Sequence, residues 1–127
     1  MTHPSPLDIV HPFLRALEQL DYEAAMIFVA NQCEYVNPPP LPTVQGPAEI
    51  RSVLEPFFAP TLRNEFKLLR QAEHGATVFV ERLDRHQLAD GWVELPVTGV
   101  FDVHDGKITY WRDYFDAATI LSAWPSA

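Results

Sequence analysis

The chain has 127 residues, enough for one domain whose core holds without disulfides or a structural metal. Apolar residues make up 47% and charged residues 20%, which excludes a disordered polymer. Nine Lys and Arg against seventeen Asp and Glu leave a net charge of -8, the wrong sign for phosphate backbones, so no nucleic-acid partner is expected. The single cysteine, Cys33, cannot form an internal disulfide, and no Cys/His cluster has zinc spacing. That favours a reducing compartment, and a cytoplasmic location is expected. No apolar run reaches membrane-spanning length, and residues 1–6 lack a basic segment followed by an apolar one, so neither membrane association nor secretion is expected.

In chain order, Leu7, Val10, Phe13, Leu14, Leu17 and Leu20 recur at helical spacing, with Pro6 and Asp8 suited to a first turn. Pro12 either kinks this helix or marks its start. Asp21 is placed to cap a second helix carrying Tyr22, Ala25, Met26 and Val29. Residues 33–37 read as a short strand, stopped by the prolines at 38–40 and 42, which cannot continue a ladder. Gly46-Pro47 opens a third helix with Ile50, Val53, Leu54, Phe57 and Phe58 as its apolar stripe, ended by Pro60.

From about residue 63 the period changes to two. Strands are expected over 63–72, 76–87, 92–104 and 108–116, with Gly75 turning between the first pair. Asp105-Gly106 between the last pair accepts the positive φ angles of a tight hairpin turn. The tail beyond is short and compatible with a helix. No repeat or linker interrupts the chain, so residues 1–127 read as a single domain. Segregated helices and strands give the α+β class. A curved, mixed or antiparallel sheet closed on one face by the N-terminal helices would form a cone around an apolar pocket.

Three segments carry polar residues where apolar ones are due. Alternation along 76–86 puts Val78, Val80, Arg82, Asp84 and His86 on one strand face. A face that begins apolar and switches to Arg-x-Asp fits a polar group set at one depth of a pocket. It fits a solvated strand end equally well, since ion pairs there are common and weak. In the last strand Asp113 shares a face with Trp111 and Phe115, where a carboxylate must be paired or shifted in pKa. An edge-facing acid with Arg112 as its surface partner is the competing reading. Tyr35 and Asn37 lie on one face of the short strand, and a phenol with an amide can hold one water molecule; a solvated Tyr and a strand-ending Asn account for them as well.

Taken together, these elements resemble one family. Tyr35-x-Asn37, Arg82-x-Asp84, and the run from Gly99-Val100-Phe101 through Asp105-Gly106-Lys107-Ile108 to Trp111-Arg112-Asp113-Tyr114-Phe115-Asp116 are similar to the limonene-1,2-epoxide hydrolases, from the first helix to about residue 120. That family has the nuclear-transport-factor-2-like, or SnoaL-like, fold. The Asp-Gly-Lys-Ile hairpin and its aromatic neighbours recur across the wider fold group, so they specify the fold. The five polar residues specify the activity.

The resemblance implies a homodimeric enzyme without cofactors that adds water to a small or medium apolar epoxide in one step. Asp113 would be the general base, with Tyr35 and Asn37 holding the water beside it. Asp84 would be the general acid, and Arg82 would bond to both carboxyl groups. Val80, His86, Leu95, Val97 and Phe115 are the expected pocket walls, though core packing explains the apolar ones as well. Trp92 and Trp124 read as packing or interface residues, Asp102, Asp105 and Asp116 as structural or solvated, and Cys33 as a small buried hydrophobe. A ketosteroid-isomerase-like or polyketide-cyclase-like enzyme, or a non-catalytic apolar-ligand carrier of the same fold, are the alternatives.

Overall fold

The computed structural model describes residues 4–125. Helix α1 (Pro6–Glu18) begins where a reciprocal cap exists: Ser5 accepts from the Asp8 backbone and the Asp8 side chain accepts from the Ser5 backbone. It runs on through Pro12 to Glu18 and buries Val10, Phe13, Leu14, Ala16 and Leu17. Helix α2 (Tyr22–Met26) is one short turn capped by Asp21. Val29 is not part of it: the chain is already extended there, and strand β1 (Val29–Val36) begins four residues before the expected Cys33. Strand β2 (Val44–Gln45) was not foreshadowed, because two residues give no period to read. Helix α3 (Gly46–Phe58) buries Ile50, Leu54 and Phe58.

Four long strands follow: β3 (Arg63–His74), β4 (Thr77–Leu88), β5 (Gly91–His104) and β6 (Lys107–Tyr114). Helix α4 (Ala117–Ala123), capped by Asp116, closes the chain. The strands β3 to β6 pair in sequence as antiparallel neighbours. In the β5–β6 hairpin both Asp105 and Gly106 have positive φ, as a two-residue turn matched to strand twist requires. The open sheet has the order β2-β1-β6-β5-β4-β3, and β1 lies parallel to β6. This is an α+β architecture with a mixed sheet.

Helices α1 and α3 cover one face of that sheet. Val10, Phe13, Leu14 and Leu17 meet Ile50, Leu54 and Phe58 over Val78, Val80, Phe101, Ile108 and Trp111 in one apolar cluster. Phe13 packs its edge against Phe101 and Trp111, with centroids 6.2 and 5.1 Å away. Cys33 belongs to this cluster, and burial together with Glu34 pushes its thiol up to about 12. Leu95, Val97 and Ile120 form a second, smaller cluster with Phe57, Phe115 and Trp124 against it. Between the two clusters the covered face opens into the cavity described next. Among the described residues no helix is long and apolar enough to cross a membrane.

Candidate active site

Strand β4 supplies the polar centre. Its burial alternates strictly, with Val78, Val80, Arg82, Asp84, His86 and Leu88 all buried and their neighbours more exposed. Arg82, Asp84 and Asp113 are each at most 5% exposed, so the solvated-end and edge-acid readings fail. Charged groups this deep are tolerated only when paired.

The pairing is direct. Arg82 Nε and Nη2 donate to the two oxygens of Asp84 at 2.9 and 3.2 Å. Arg82 Nη2 and Nη1 donate to the two oxygens of Asp113 at 3.0 and 3.4 Å. The two hydrogens of Nη2 thus divide between the carboxyl groups, and one planar guanidinium holds both in register. Asp113 Oδ1 also accepts from Trp111 Nε1 at 2.9 Å. The Trp111 ring stacks on Tyr35 at 3.8 Å between centroids, so an indole two residues away on β6 joins the acid to the phenol.

Cross-strand register explains the approach. Arg82 faces Val97 on β5, and Gly99, two residues further along β5, faces Asp113 on β6. Arg82 therefore crosses over Gly99 to reach Asp113. A methyl group on Gly99 would lie 2.7 Å from Arg82 Nη1 and 2.9 Å from Asp113 Oδ1. The glycine is what leaves room for the ion bridge. Sequence reasoning did not single it out, although a glycine inside a strand signals a close approach of another group.

Electrostatics separates the polar groups. Burial raises the Asp84 carboxyl above its ordinary value; Arg82 opposes this, while the charges of Asp113 and Glu18 add to it. Burial works to lower Arg82, but Asp113 and Asp84 outweigh it, and the guanidinium stays charged. Burial, then the Asp113 charge, pushes the Tyr35 phenol far up, so it is a neutral hydrogen-bonding group. Burial and the nearby Arg82 charge bring His86 down to about 4, so its ring is neutral at pH 7.

All five polar residues, Tyr35, Asn37, Arg82, Asp84 and Asp113, line one cavity of about 80 Å³. That volume holds several water-sized positions. Asn37 Nδ2 donates to the Pro42 carbonyl at 3.1 Å, which leaves Oδ1 as the acceptor of an amide that lines the cavity. His86, Leu95, Val97 and Phe115 line the same space. Val80 does not: it is fully buried among core side chains, one pleat below the cavity floor, where its apolar character serves packing. Residues the sequence analysis did not mark as walls include Leu14 and Leu17 of α1 and Phe57 and Phe58 of α3, whose helical stripes serve core and cavity at once. Among the described residues no three His, Cys, Asp or Glu side chains cluster as a metal site.

Trp124 stacks on Phe57 at 4.8 Å and donates to its carbonyl, packing against that wall residue, whereas Trp92 stands outside against Arg85. Asp102 accepts from Thr77, and Asp116 caps α4.

Comparison with known proteins gives the family and the fold. The limonene-1,2-epoxide hydrolase catalytic domain matches residues 4–126. Epoxide hydrolase EphG of Mycobacterium tuberculosis is 33% identical over 107 residues, covering 84% of this chain and 70% of that protein. The solved structure of an M. tuberculosis epoxide hydrolase of the same type superimposes with a TM-score of 0.78 at 30% identity, covering 92% of this chain and 86% of the other. A putative SnoaL-like polyketide cyclase from Shewanella putrefaciens superimposes with a TM-score of 0.81 at 14% identity, over 94% and 85% of the two chains, and shares the fold alone. The chain belongs to the limonene-1,2-epoxide hydrolase family and is an epoxide hydrolase.

Proposed function

We propose that the enzyme opens a small or medium apolar epoxide in one concerted step, without a cofactor and without a covalent intermediate. The observation that carries this reading is the single guanidinium bonded to two buried carboxyl groups. Epoxide opening needs a proton removed from water and a proton given to the leaving oxygen. One cation beside two acids favours one carboxylate and one carboxylic acid, because two bare charges so close are costly in an apolar site. Asp84, the acid raised by burial, is the proton donor to the epoxide oxygen. Asp113 is the base, and Tyr35 and Asn37 hold the water with it.

In the step itself the water oxygen forms a bond to a ring carbon as the carbon–oxygen bond of the epoxide breaks. Asp113 takes the water proton, and Asp84 gives its proton to the departing oxygen, producing a vicinal diol. A proton must then pass from Asp113 to Asp84 before the next turnover. The aromatic and aliphatic walls suit an apolar substrate body.

The test is hydrolysis of limonene oxide, cyclohexene oxide, styrene oxide and a bulky sterol epoxide by wild type, Asp84→Asn and Asp113→Asn. Diol from the wild type, with each variant down by about 10²–10⁴-fold, is the expected result. Activity surviving either substitution refutes the residue assignment. A single turnover in ¹⁸O-water, with enzyme in excess, separates the mechanisms. Direct attack labels the first diol, whereas an ester intermediate leaves it unlabelled.

A further inference from the structure

His86 is a buried titratable group that the proposed reaction does not use. It lies two residues beyond Asp84 on the same face of β4, is 2% exposed, and lines the cavity. Its ring is enclosed by the edges and faces of Phe57, Phe58, Phe66 and Trp124, with centroids 5.1–6.3 Å away. An imidazole in such surroundings needs a polar partner, and Nδ1 has one in Asn64 Oδ1 at 2.7 Å.

The hydrogen-bond chain behind Asn64 sets the tautomer. Thr61 Oγ1 lies 2.6 Å from the Phe58 carbonyl oxygen, which can only accept, so the Thr61 hydroxyl hydrogen is committed there. Thr61 Oγ1 must then accept from Asn64 at 2.9 Å, which makes the facing amide atom Nδ2 and turns Oδ1 toward the imidazole. Oδ1 accepts, so His86 Nδ1 carries the hydrogen. Nε2 is left with a bare lone pair and, among the described residues, no protein partner. Among the described residues no buried side-chain polar atom lacks a partner, so Nε2 is open to space, and the space His86 lines is the cavity.

From this geometry we infer that His86 is a specificity-determining residue: its Nε2 accepts a hydrogen bond from a hydroxyl group of the substrate, so the enzyme favours apolar epoxides that also carry an alcohol. The inference rests on reading the cavity as the epoxide site. Two residues along a strand place the hydroxyl on the order of 7 Å from the epoxide oxygen held at Asp84. The neutral ring, with its pKa brought down to about 4, keeps Nε2 an acceptor throughout the neutral range. A substrate lacking the hydroxyl leaves that lone pair dry and unpaired, which is the costly arrangement on which discrimination between hydroxyl and ether is built.

The test compares cyclohexene oxide bearing a hydroxymethyl group on its far side with the corresponding methyl ether. In wild type the alcohol is expected to show kcat/KM at least about tenfold above the ether. In His86→Leu that ratio is expected to fall to near one while the ether is still hydrolysed. A purely structural histidine would change both substrates alike. Equal kcat/KM values in wild type, or a preference unchanged in His86→Leu, overturn the inference and leave the acid–base assignment intact. Failure of wild type to hydrolyse either compound overturns the reading of the cavity and the inference with it. Nitrogen NMR of the wild-type ring is a second measurement that does not need the variant to fold. A hydrogen on Nδ1 and a lone pair on Nε2 are expected, with the Nε2 signal moved by hydroxymethylcyclohexane and not by its methyl ether. The opposite tautomer, or no distinction between the two probes, overturns the inference.

Discussion

Gly99→Ala tests whether the bridge between the two acids governs the rate. The added methyl carbon would sit 2.7 Å from Arg82 Nη1, 2.9 Å from Asp113 Oδ1 and 3.1 Å from Phe101 Cε1. The first separation is short of ordinary contact by on the order of 0.7 Å. None of the three neighbours is a free side-chain end: Arg82 is tied at both carboxyls, Asp113 to Trp111, and Phe101 is packed against Phe13. The guanidinium must rise from the strand, and the bond from Nη1 to Asp113, already 3.4 Å, is the first to break. Overpacking of this kind costs about 1–3 kcal/mol of stability. The melting temperature of a chain this size should then fall by roughly 3–12 °C. Misplacing a catalytic group by a fraction of an ångström to one ångström costs up to about 10²-fold in rate. The assay is initial-rate diol formation beside thermal unfolding. kcat should drop while KM for a purely apolar epoxide changes little, because the apolar walls are untouched. A folded Gly99→Ala protein with kcat within twofold of wild type would refute the idea that this strand glycine exists to seat the bridge.

Other outcomes follow from the same geometry. Arg82→Lys keeps the charge but loses the planar fork, and one ammonium cannot span both carboxyls with four bonds; kcat should fall at least about 10²-fold in the diol assay. His86 is depressed from 6.5 to about 4, so between those values the unfolded chain binds the proton and the folded one does not. Its contribution is fully present above pH 6.5 and is lost as pH falls toward 4, by about 3 kcal/mol in all. Urea unfolding of wild type and His86→Leu across that window should show this slope in wild type only. Asp84 has the opposite sign: its carboxyl is raised above 3.8, so the folded state holds the proton longer and stability declines as pH rises through that value. Asp84→Asn should lack that decline, gaining on wild type as pH rises above 3.8 while losing activity. The outer sheet face exposes Leu69, Phe79 and Tyr114, where a homodimer would join. Sedimentation should show a dimer that Phe79→Glu dissociates, and a monomeric wild type would defeat that expectation.

Much of the architecture was readable because its physics is local. Helical stripes, the Asp21 and Pro6 start signals and the Asp105-Gly106 turn act over a few residues, and the alternation runs through most of β4 and β5, strands of 12 and 14 residues. The site was partly readable for the same reason: Arg82, Asp84 and Asp113 break an otherwise apolar face, a conflict visible along a single strand. What was missed depends on pairing across the chain. That β1 begins at Val29 and lies parallel to β6 is set by Ile108 and Tyr110, some eighty residues away. Gly99 has meaning only once Arg82 lies above it. Trp111 was visible on the face of Asp113, but an indole N–H bonded two residues along its own strand depends on rotamers. The tautomer of His86 hangs on Asn64 and Thr61, on or just before a different strand. Val80 shows the converse limit, since alternation assigns a face but not a depth along it.

Arg82 also decides between chemistries that this fold can host. An isomerase moving a proton beside a carbonyl needs one carboxylate base and a neutral donor for the developing oxyanion. A guanidinium bonded to both acids would hold charge on the carboxylates, so neither acid would serve well as that neutral oxyanion donor. Hydrolysis of an epoxide makes a different demand. The substrate is neutral, the products are neutral, and one proton is delivered while another is collected. A cation shared by two carboxyls meets that demand, because the assembly carries the same total charge before and after the step. In the proposed step the charge would shift from Asp113 to Asp84 while Arg82 stays bonded to both, and the surrounding apolar walls would not have to solvate a new ion. The bridge is thus suited to a reaction in which the proton changes partners and the net charge of the site stays constant.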